Sequence, residues 1–402
     1  MTEAQNNQYS RRSFLNLLGR GIAGIAIASA GVEALISCSP EPKEDLFYKH
    51  RDSLEKKIFI YDQGMNSSVL VDETLKTADY IMPHLIDINY NDYTMKKVGT
   101  KKGIKKDKKG KFIQEPIYKK IAIPGHIDVN NVPIQKSNLD KLLKEAKAEG
   151  VYIVPMISAF DKEAIEGVLH NPEKYAKIIA DKIKSLPVQG VSVDFENVKI
   201  DSRQSDALTE FMRILRRKLP EPYVISIAVS PRFEGSSGNG FPHHGFYDYK
   251  ELAKYVDYVN LMCYDFHKGK IGPSPVMPED MLLKVLRYAR DNIPSEKIVP
   301  ILPFYGYVWA KNKEGKYIGQ GTLSSRNMSV YKKKNIIDSK YVNGEHYIET
   351  KNRKIFAQDA KTFDQRFDIL DEMNISNMGG WRGDHGSDTV YKAINGWKNS
   401  IK

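Results

Sequence analysis

The sequence predicts an α/β protein: a (β/α)8 barrel carrying a small α+β insertion between its seventh strand and the following helix. Three observations lead there. Short, β-branched apolar runs alternate along the chain with longer segments of helical period, the pattern of a mainly parallel sheet. Eight such runs occur, the number that closes a barrel of this kind. The 402 residues, 41% hydrophobic and 28% charged, suffice for one large domain with insertions and exclude global disorder.

The N-terminus stands apart from that pattern. Ser10-Arg11-Arg12-Ser13-Phe14-Leu15 precedes an apolar, small-residue stretch at 22–30, which leads to Leu35-Ile36-Ser37-Cys38. This order resembles a twin-arginine export signal ending in a lipobox. The apolar run falls short of the roughly 20 residues that cross a bilayer, so residues 1–37 are expected to be a cleaved signal peptide rather than a membrane span. Cys38 would be the lipidated first residue of an exported bacterial lipoprotein, held in the cell envelope through its lipid anchor. Residues 38–53, polar and punctuated by Pro40 and Pro42, read as a tether, and 54–402 as the barrel. Cys263 is then the one thiol left in the body, which excludes an internal disulfide.

The expected strands run over 57–61, 85–90, 151–157, 190–195, 223–229, 258–263, 298–303 and about 377–381. Helical periodicity fills 139–149, 172–185, 205–219, 278–292 and 360–373 between them. Two intervals are too long for simple connections and read as insertions. One, 91–135, holds lysines 96, 97, 101, 102, 105, 106, 108, 109 and 111 around Gly103 and Gly110, as in an exposed hairpin tip. The other, about 310–357, has segments 340–349 and 354–357 that could pair as strands around Asn352. The net charge of +11 has its main source in the lysine-rich interval. No nucleic-acid-binding motif accompanies it, so nucleic acid is not an expected partner.

Chemistry concentrates in Gly190-Val191-Ser192-Val193-Asp194-Phe195-Glu196. Alternation puts Ser192, Asp194 and Glu196 on one face of this strand. Two carboxylates facing the inside of a barrel are costly as mere filling, because buried charge without a partner is strongly disfavoured. They stand at the strand's C-terminal end, where barrel enzymes carry their catalytic groups. The charge of Asp194 and partial desolvation would raise the pKa of Glu196 and keep it protonated as a general acid. His243 and His244 adjoin without a matching carboxylate or cysteine arrangement, so neither a metal nor any other cofactor is expected.

Four ordered blocks make the chain similar to glycoside hydrolase family 18, in the branch of spore-cortex peptidoglycan hydrolases and chitinases. GVSVDFENV at 190–198 resembles the strand-four signature, which ends in the catalytic glutamate. GFYDYKELAKYVDYVNLMCYDFH at 245–267 resembles the fifth helix and sixth strand, with the Met-x-Tyr-Asp of Met262 to Asp265. PFYGYVW at 303–309 and Gly379-Gly380-Trp381-Arg382 match the ends of strands seven and eight. The interval between these last two resembles a small insertion that walls one side of the substrate cleft.

The resemblance implies retaining, substrate-assisted hydrolysis of β-linked N-acetylglucosamine-containing oligo- or polysaccharides by a monomeric enzyme. Glu196 would be the acid and then the base, Asp194 would orient the sugar's acetamido N–H, and Tyr264 would bond its carbonyl. Asp265 stands beside Tyr264, and Trp381 would floor the sugar site. Tyr61 and Tyr305 are further binding candidates at strand ends. Gln189 and Ser192 depart from the family pattern, in which aspartate commonly stands at the first position and aspartate or asparagine at the second. The loss at Ser192 is expected to lower turnover or displace its pH optimum. The competing reading is a glycan-binding lipoprotein without turnover.

Overall fold

The computed structural model describes residues 56–62, 72–90, 93–106, 112–122, 127–131, 136–196, 204–234, 245–266, 272–329 and 336–400. The signal peptide, Cys38, the tether, Lys108, Lys109, Lys111 and the pair His243–His244 lie outside the described residues.

In chain order the elements are β1 (Lys57–Asp62), α1 (Asp72–Thr77), β2 (Tyr80–Tyr90), β3 (Tyr93–Lys106), β4 (Phe112–Ala122), β5 (Ile127–Asn131) and α2 (Lys136–Glu149). Next come β6 (Tyr152–Ile153), β7 (Met156–Ala159), α3 (Lys162–His170), α4 (Pro172–Ser185), β8 (Gly190–Phe195), α5 (Ser205–Lys218), β9 (Val224–Val229), α6 (Tyr249–Leu252) and β10 (Tyr258–Met262). The C-terminal part holds α7 (Glu279–Asn292), β11 (Ile298–Pro303), β12 (Tyr305–Lys311), β13 (Tyr317–Ser324), β14 (Ile336–Val342), β15 (Glu345–Thr350), β16 (Arg353–Ala357), α8 (Ala360–Glu372), β17 (Asn377–Trp381) and α9 (Asp388–Lys398).

The parallel order β1-β17-β11-β10-β9-β8-β7-β2 closes because β1 also pairs with β2, and the expected (β/α)8 barrel results. The third expected run is divided into β6 and β7 at Val154-Pro155, since proline has no N–H for the ladder. β2 starts at Tyr80, five residues before the expected run. Gly379 and Gly380 let β17 fit. A Cβ at the first would stand 2.2 Å from Ile301 Cδ1, and one at the second 2.2 Å from Phe304 Cζ.

Two cores result from the strands' alternation. Outward residues such as Ile58, Val191, Val193 and Phe195 pack beneath the helices, which turn apolar stripes inward, for example Leu208, Phe211, Met212 and Leu215 of α5. Inward residues form a separate, aromatic-rich filling. At its base Phe59 stacks on Tyr80 at 4.5 Å, and the Tyr80 and Tyr258 hydroxyls meet at 3.2 Å.

The interval 91–135 forms the antiparallel hairpin β3–β4 and a strand, β5, paired antiparallel to β2. The second inserted unit is a five-stranded antiparallel sheet, β13-β12-β16-β15-β14, and its first strand begins at Tyr305. Segment 340–349 is not one strand. It turns at Asn343–Gly344, both at positive φ (48° and 79°), so β14 and β15 form a two-residue hairpin. Strand alternation does not reveal such a turn when polar residues continue through it.

Candidate active site

Asp194 and Ser192 lie on β8, both with zero exposure. Ser158, the register partner of Asp194 on β7, donates to Asp194 Oδ2 at 3.4 Å. Glu196 follows the strand end, half-buried, with its N–H donating to Ala159 O at 2.9 Å. Tyr247 clamps the same turn, its hydroxyl donating to Phe195 O at 2.5 Å. The two carboxylate-bearing residues are thus held by backbone bonds to neighbouring strands and not by a free loop.

Around this end the other strands contribute aromatic rings. Trp381 closes β17, in register with Tyr61 of β1 and Pro303 of β11. Tyr264, two residues past β10, stacks on Trp381 with centroids 6.4 Å apart and planes 21° from parallel, while Tyr61 approaches Trp381 at 6.0 Å. Tyr61, Ala228, Met262, Tyr264, Ile301 and Trp381 line a small pocket there. Such a wall offers aromatic faces to an apolar sugar face and a phenol to a polar group.

Beneath it runs a polar layer inside the barrel. Asn260 Nδ2 donates to the Tyr61 hydroxyl at 2.6 Å, and that hydroxyl meets Ser192 Oγ at 3.4 Å. Asp265 has a left-handed backbone, φ 61°, and its Oδ1 accepts from the hydroxyls of both Tyr305 (2.7 Å) and Tyr307. Burial first, and the Asp265 carboxylate second, push the Tyr305 hydroxyl well above the ordinary phenol range, so it remains a donor.

The sequence-derived residues therefore separate into three groups. Asp194 and Glu196 form the acidic end of β8, Tyr61, Tyr264 and Trp381 form the pocket wall, and Tyr305, itself buried, is bonded to Asp265. Ser192 lies one layer deeper, against Tyr61. Sequence reasoning passed over Asn260, Tyr307 and Ser158. Asn260 carried a signal, as the lone amide in an apolar strand and on the same face as Tyr258 and Met262. Among the described residues no cluster of three or more His, Cys, Asp or Glu is arranged to hold a metal ion.

The family description "Glycosyl hydrolases family 18" matches residues 125–384, more than half of the chain. The chain belongs to this family. The matched range carries Asp194, Glu196, Tyr264, Asp265, Tyr305 and Trp381, while Tyr61 lies outside it, on β1.

A putative sporulation-specific glycosylase of Bacillus subtilis (strain 168) is 32% identical over 154 residues, 37% of this chain and 35% of that protein. A cortical fragment-lytic enzyme of Bacillus anthracis is 22% identical over 268 residues, 63% of this chain and 59% of that protein. The chain thus spans less than two thirds of the length of these relatives. Among solved structures, a chitinase from Chromobacterium violaceum ATCC 12472 superposes with a TM-score of 0.65 at 15% identity, covering 86% of this chain and 100% of that one. The spore cortex-lytic enzyme SleL of Bacillus megaterium QM B1551 gives 0.62 at 17%, covering 86% and 74%. At those identities the family 18 barrel is what they share with this chain.

Proposed function

We propose that this family 18 protein hydrolyses β-linked N-acetylglucosamine-containing glycans with retention, using the substrate's own acetamido group as nucleophile. The observation that carries the reading is the placement of Asp194 and Glu196 at the C-terminal end of β8, beside a pocket walled by Tyr264 and Trp381. With a sugar over the Trp381 ring, Glu196 protonates the glycosidic oxygen. The acetamido carbonyl oxygen attacks the anomeric carbon, and the aglycone leaves as an alcohol. Asp194 holds the acetamido N–H and stabilises the oxazolinium, Tyr264 bonds the oxygen that attacks, and Glu196 then takes a proton from the water that opens the ring. Asp265, oriented by Tyr305 and Tyr307, is positioned to accept a sugar hydroxyl.

Peptidoglycan is the favoured substrate over chitin oligomers and N-glycan cores, supported by the names of the Bacillus relatives. On this reading the protein is a monomer held in the cell envelope by lipidated Cys38. Ser192 favours a second reading, glycan binding with little or no turnover, because serine cannot share the charge of Asp194 as a carboxylic acid would.

The test incubates residues 39–402 with purified peptidoglycan, chitin oligosaccharides and an N-glycoprotein, and reads the products by mass spectrometry. Cleavage after N-acetylglucosamine is expected from the wild type. Glu196→Gln is expected to lose roughly 10²–10⁴-fold in rate, the usual contribution of a general acid, while still binding glycan. Undiminished cleavage by that variant would remove the proposed mechanism. Binding without cleavage by the wild type would leave the second reading, and Ser192→Asp would then be the variant in which to seek activity.

A further inference from the structure

A second set of chemistry-bearing residues lies on the inserted sheet. Ser339 Oγ and His346 Nε2 are 2.9 Å apart, and His346 Nδ1 is 2.8 Å from Asp359 Oδ2. The remaining bonds of the carboxylate lock it. Oδ2 also accepts from the Tyr341 hydroxyl at 2.8 Å, while Oδ1 accepts from Thr362 N at 3.0 Å and Thr362 Oγ1 at 3.1 Å. Burial alone would raise its pKa, but the bonds from His346, Thr362 N and Tyr341 outweigh it and hold the group well below the usual carboxylate range. An ionised Asp359 can only accept, so Nδ1 carries a proton, and in the neutral ring Nε2 is then the acceptor facing the Ser339 hydroxyl. Tyr341 stacks on the imidazole at 4.9 Å and 16°, which fixes the ring.

We propose that Ser339, His346 and Asp359 form a second catalytic site, a serine nucleophile with its base and orienting acid, that hydrolyses short-chain acyl esters. Ser339 is exposed, while the His346 and Asp359 side chains are only 15% and 18% exposed, so the nucleophile is reachable and its support is shielded. The hairpin register supplies an oxyanion donor. Val342 and Glu345 flank the two-residue turn and exchange both ladder bonds; alternation then makes Lys340–Tyr347 the next such pair. Ser339, opposite Ile348, is left with its N–H pointing away from β15, and β14 ends the sheet order among the described residues. Ile336 and Ile337, 41% and 67% exposed, precede Ser339 on the same strand, and Ile337 is skipped in the register. That exposed apolar surface suits a short acyl chain and gives no grip on a polar one.

The reaction balances without a cofactor. Ser339 Oγ bonds to the acyl carbon as its proton passes to His346 Nε2; the bond from that carbon to the alcohol oxygen breaks, and the alcohol leaves with the proton. Water, deprotonated by Nε2, then bonds to the acyl carbon; the bond from that carbon to Ser339 Oγ breaks, Oγ takes the proton back from Nε2, and the carboxylic acid is released. The site is separate from the glycan cleft. Tyr347 packs with Phe356 and Trp309 in the aromatic filling continuous with the barrel interior, and His346, its neighbour on β15, faces the other way.

The experiment treats full-chain protein with p-nitrophenyl acetate and, separately, with a fluorophosphonate whose adduct is mapped by mass spectrometry. The wild type and Glu196→Gln are expected to carry the adduct on Ser339 and to release nitrophenol at equal rates. Ser339→Ala and His346→Ala are expected to lose the adduct and at least tenfold of the esterase rate, while Ser339→Ala leaves glycan cleavage and the melting temperature unchanged. Absence of the adduct from Ser339 in the wild type, or a smaller fall in rate, overturns the proposal.

Discussion

Asn260 and Tyr61 show how one buried bond shapes the candidate site. The Asn260 amide is fully buried inside the barrel, and its bond to the Tyr61 hydroxyl sets a ring that lines the pocket. Truncation to alanine removes the donor and leaves the phenol less well satisfied in a dry interior. Asn260→Ala is therefore expected to lower the unfolding free energy by about 1–3 kcal/mol, read from urea titration, and to raise KM for the glycan more than it lowers kcat. Asp265 is an opposite case, a carboxylate in a left-handed backbone that two tyrosines hold in place. Met-x-Tyr-Asp marked the residue in the sequence; its partners come from β12, 40 and 42 residues further on.

The inserted sheet joins the barrel through a buried ion pair. Glu345 of β15, with zero exposure, accepts from Val276 N at 3.0 Å, Met277 N at 2.7 Å and Arg366 Nη2 at 3.2 Å. One side chain thus ties the sheet to the segment before α7 and to α8. Burial pushes the Glu345 carboxyl up and the Arg366 guanidinium down to about 10. Removing one partner leaves the other charge buried alone, so Glu345→Ala is expected to cost about 3–5 kcal/mol in chemical denaturation. The double variant Glu345→Met, Arg366→Met should recover only part of that, since the Val276 and Met277 amides still lack their acceptor. Full recovery would mean that the pair acts only as mutual neutralisation and not as an anchor for the segment before α7.

For the molecule as a whole, acid stability follows from groups whose folded pKa values are depressed. Burial lowers His385 from 6.5 to about 4, the Arg382 and Arg326 charges act in the same direction, and Asp384 opposes them. Below 6.5 the unfolded chain takes up a proton that the folded one refuses, so stability falls with pH between 6.5 and about 4. Asp359 adds a second loss below its ordinary 3.8, where the unfolded chain is protonated first. Melting temperatures recorded from pH 7 to 4 are expected to fall across the first window, and His385→Gln is expected to flatten that slope. An equal slope in the variant would assign the acid sensitivity elsewhere.

The sequence by itself determined the barrel, because eight apolar runs and their intervening helical periods are local patterns with one common closed arrangement. It determined the acidic end of β8 for the same reason: Ser192, Asp194 and Glu196 follow a two-residue period that any strand must obey. Tertiary structure alone decided what those residues meet. The Tyr61–Asn260 bond spans 199 positions and the Arg366–Glu345 pair joins a helix to a sheet, contacts that no local period encodes. The β14–β15 turn within 340–349 differs, because Asn343-Gly344 is a local two-residue turn signal that strand alternation alone passes over, and it sets the register that brings Ser339 near His346. Asp359, at the start of α8, meets His346 only once that helix has packed against the inserted sheet, a contact that no local pattern encodes.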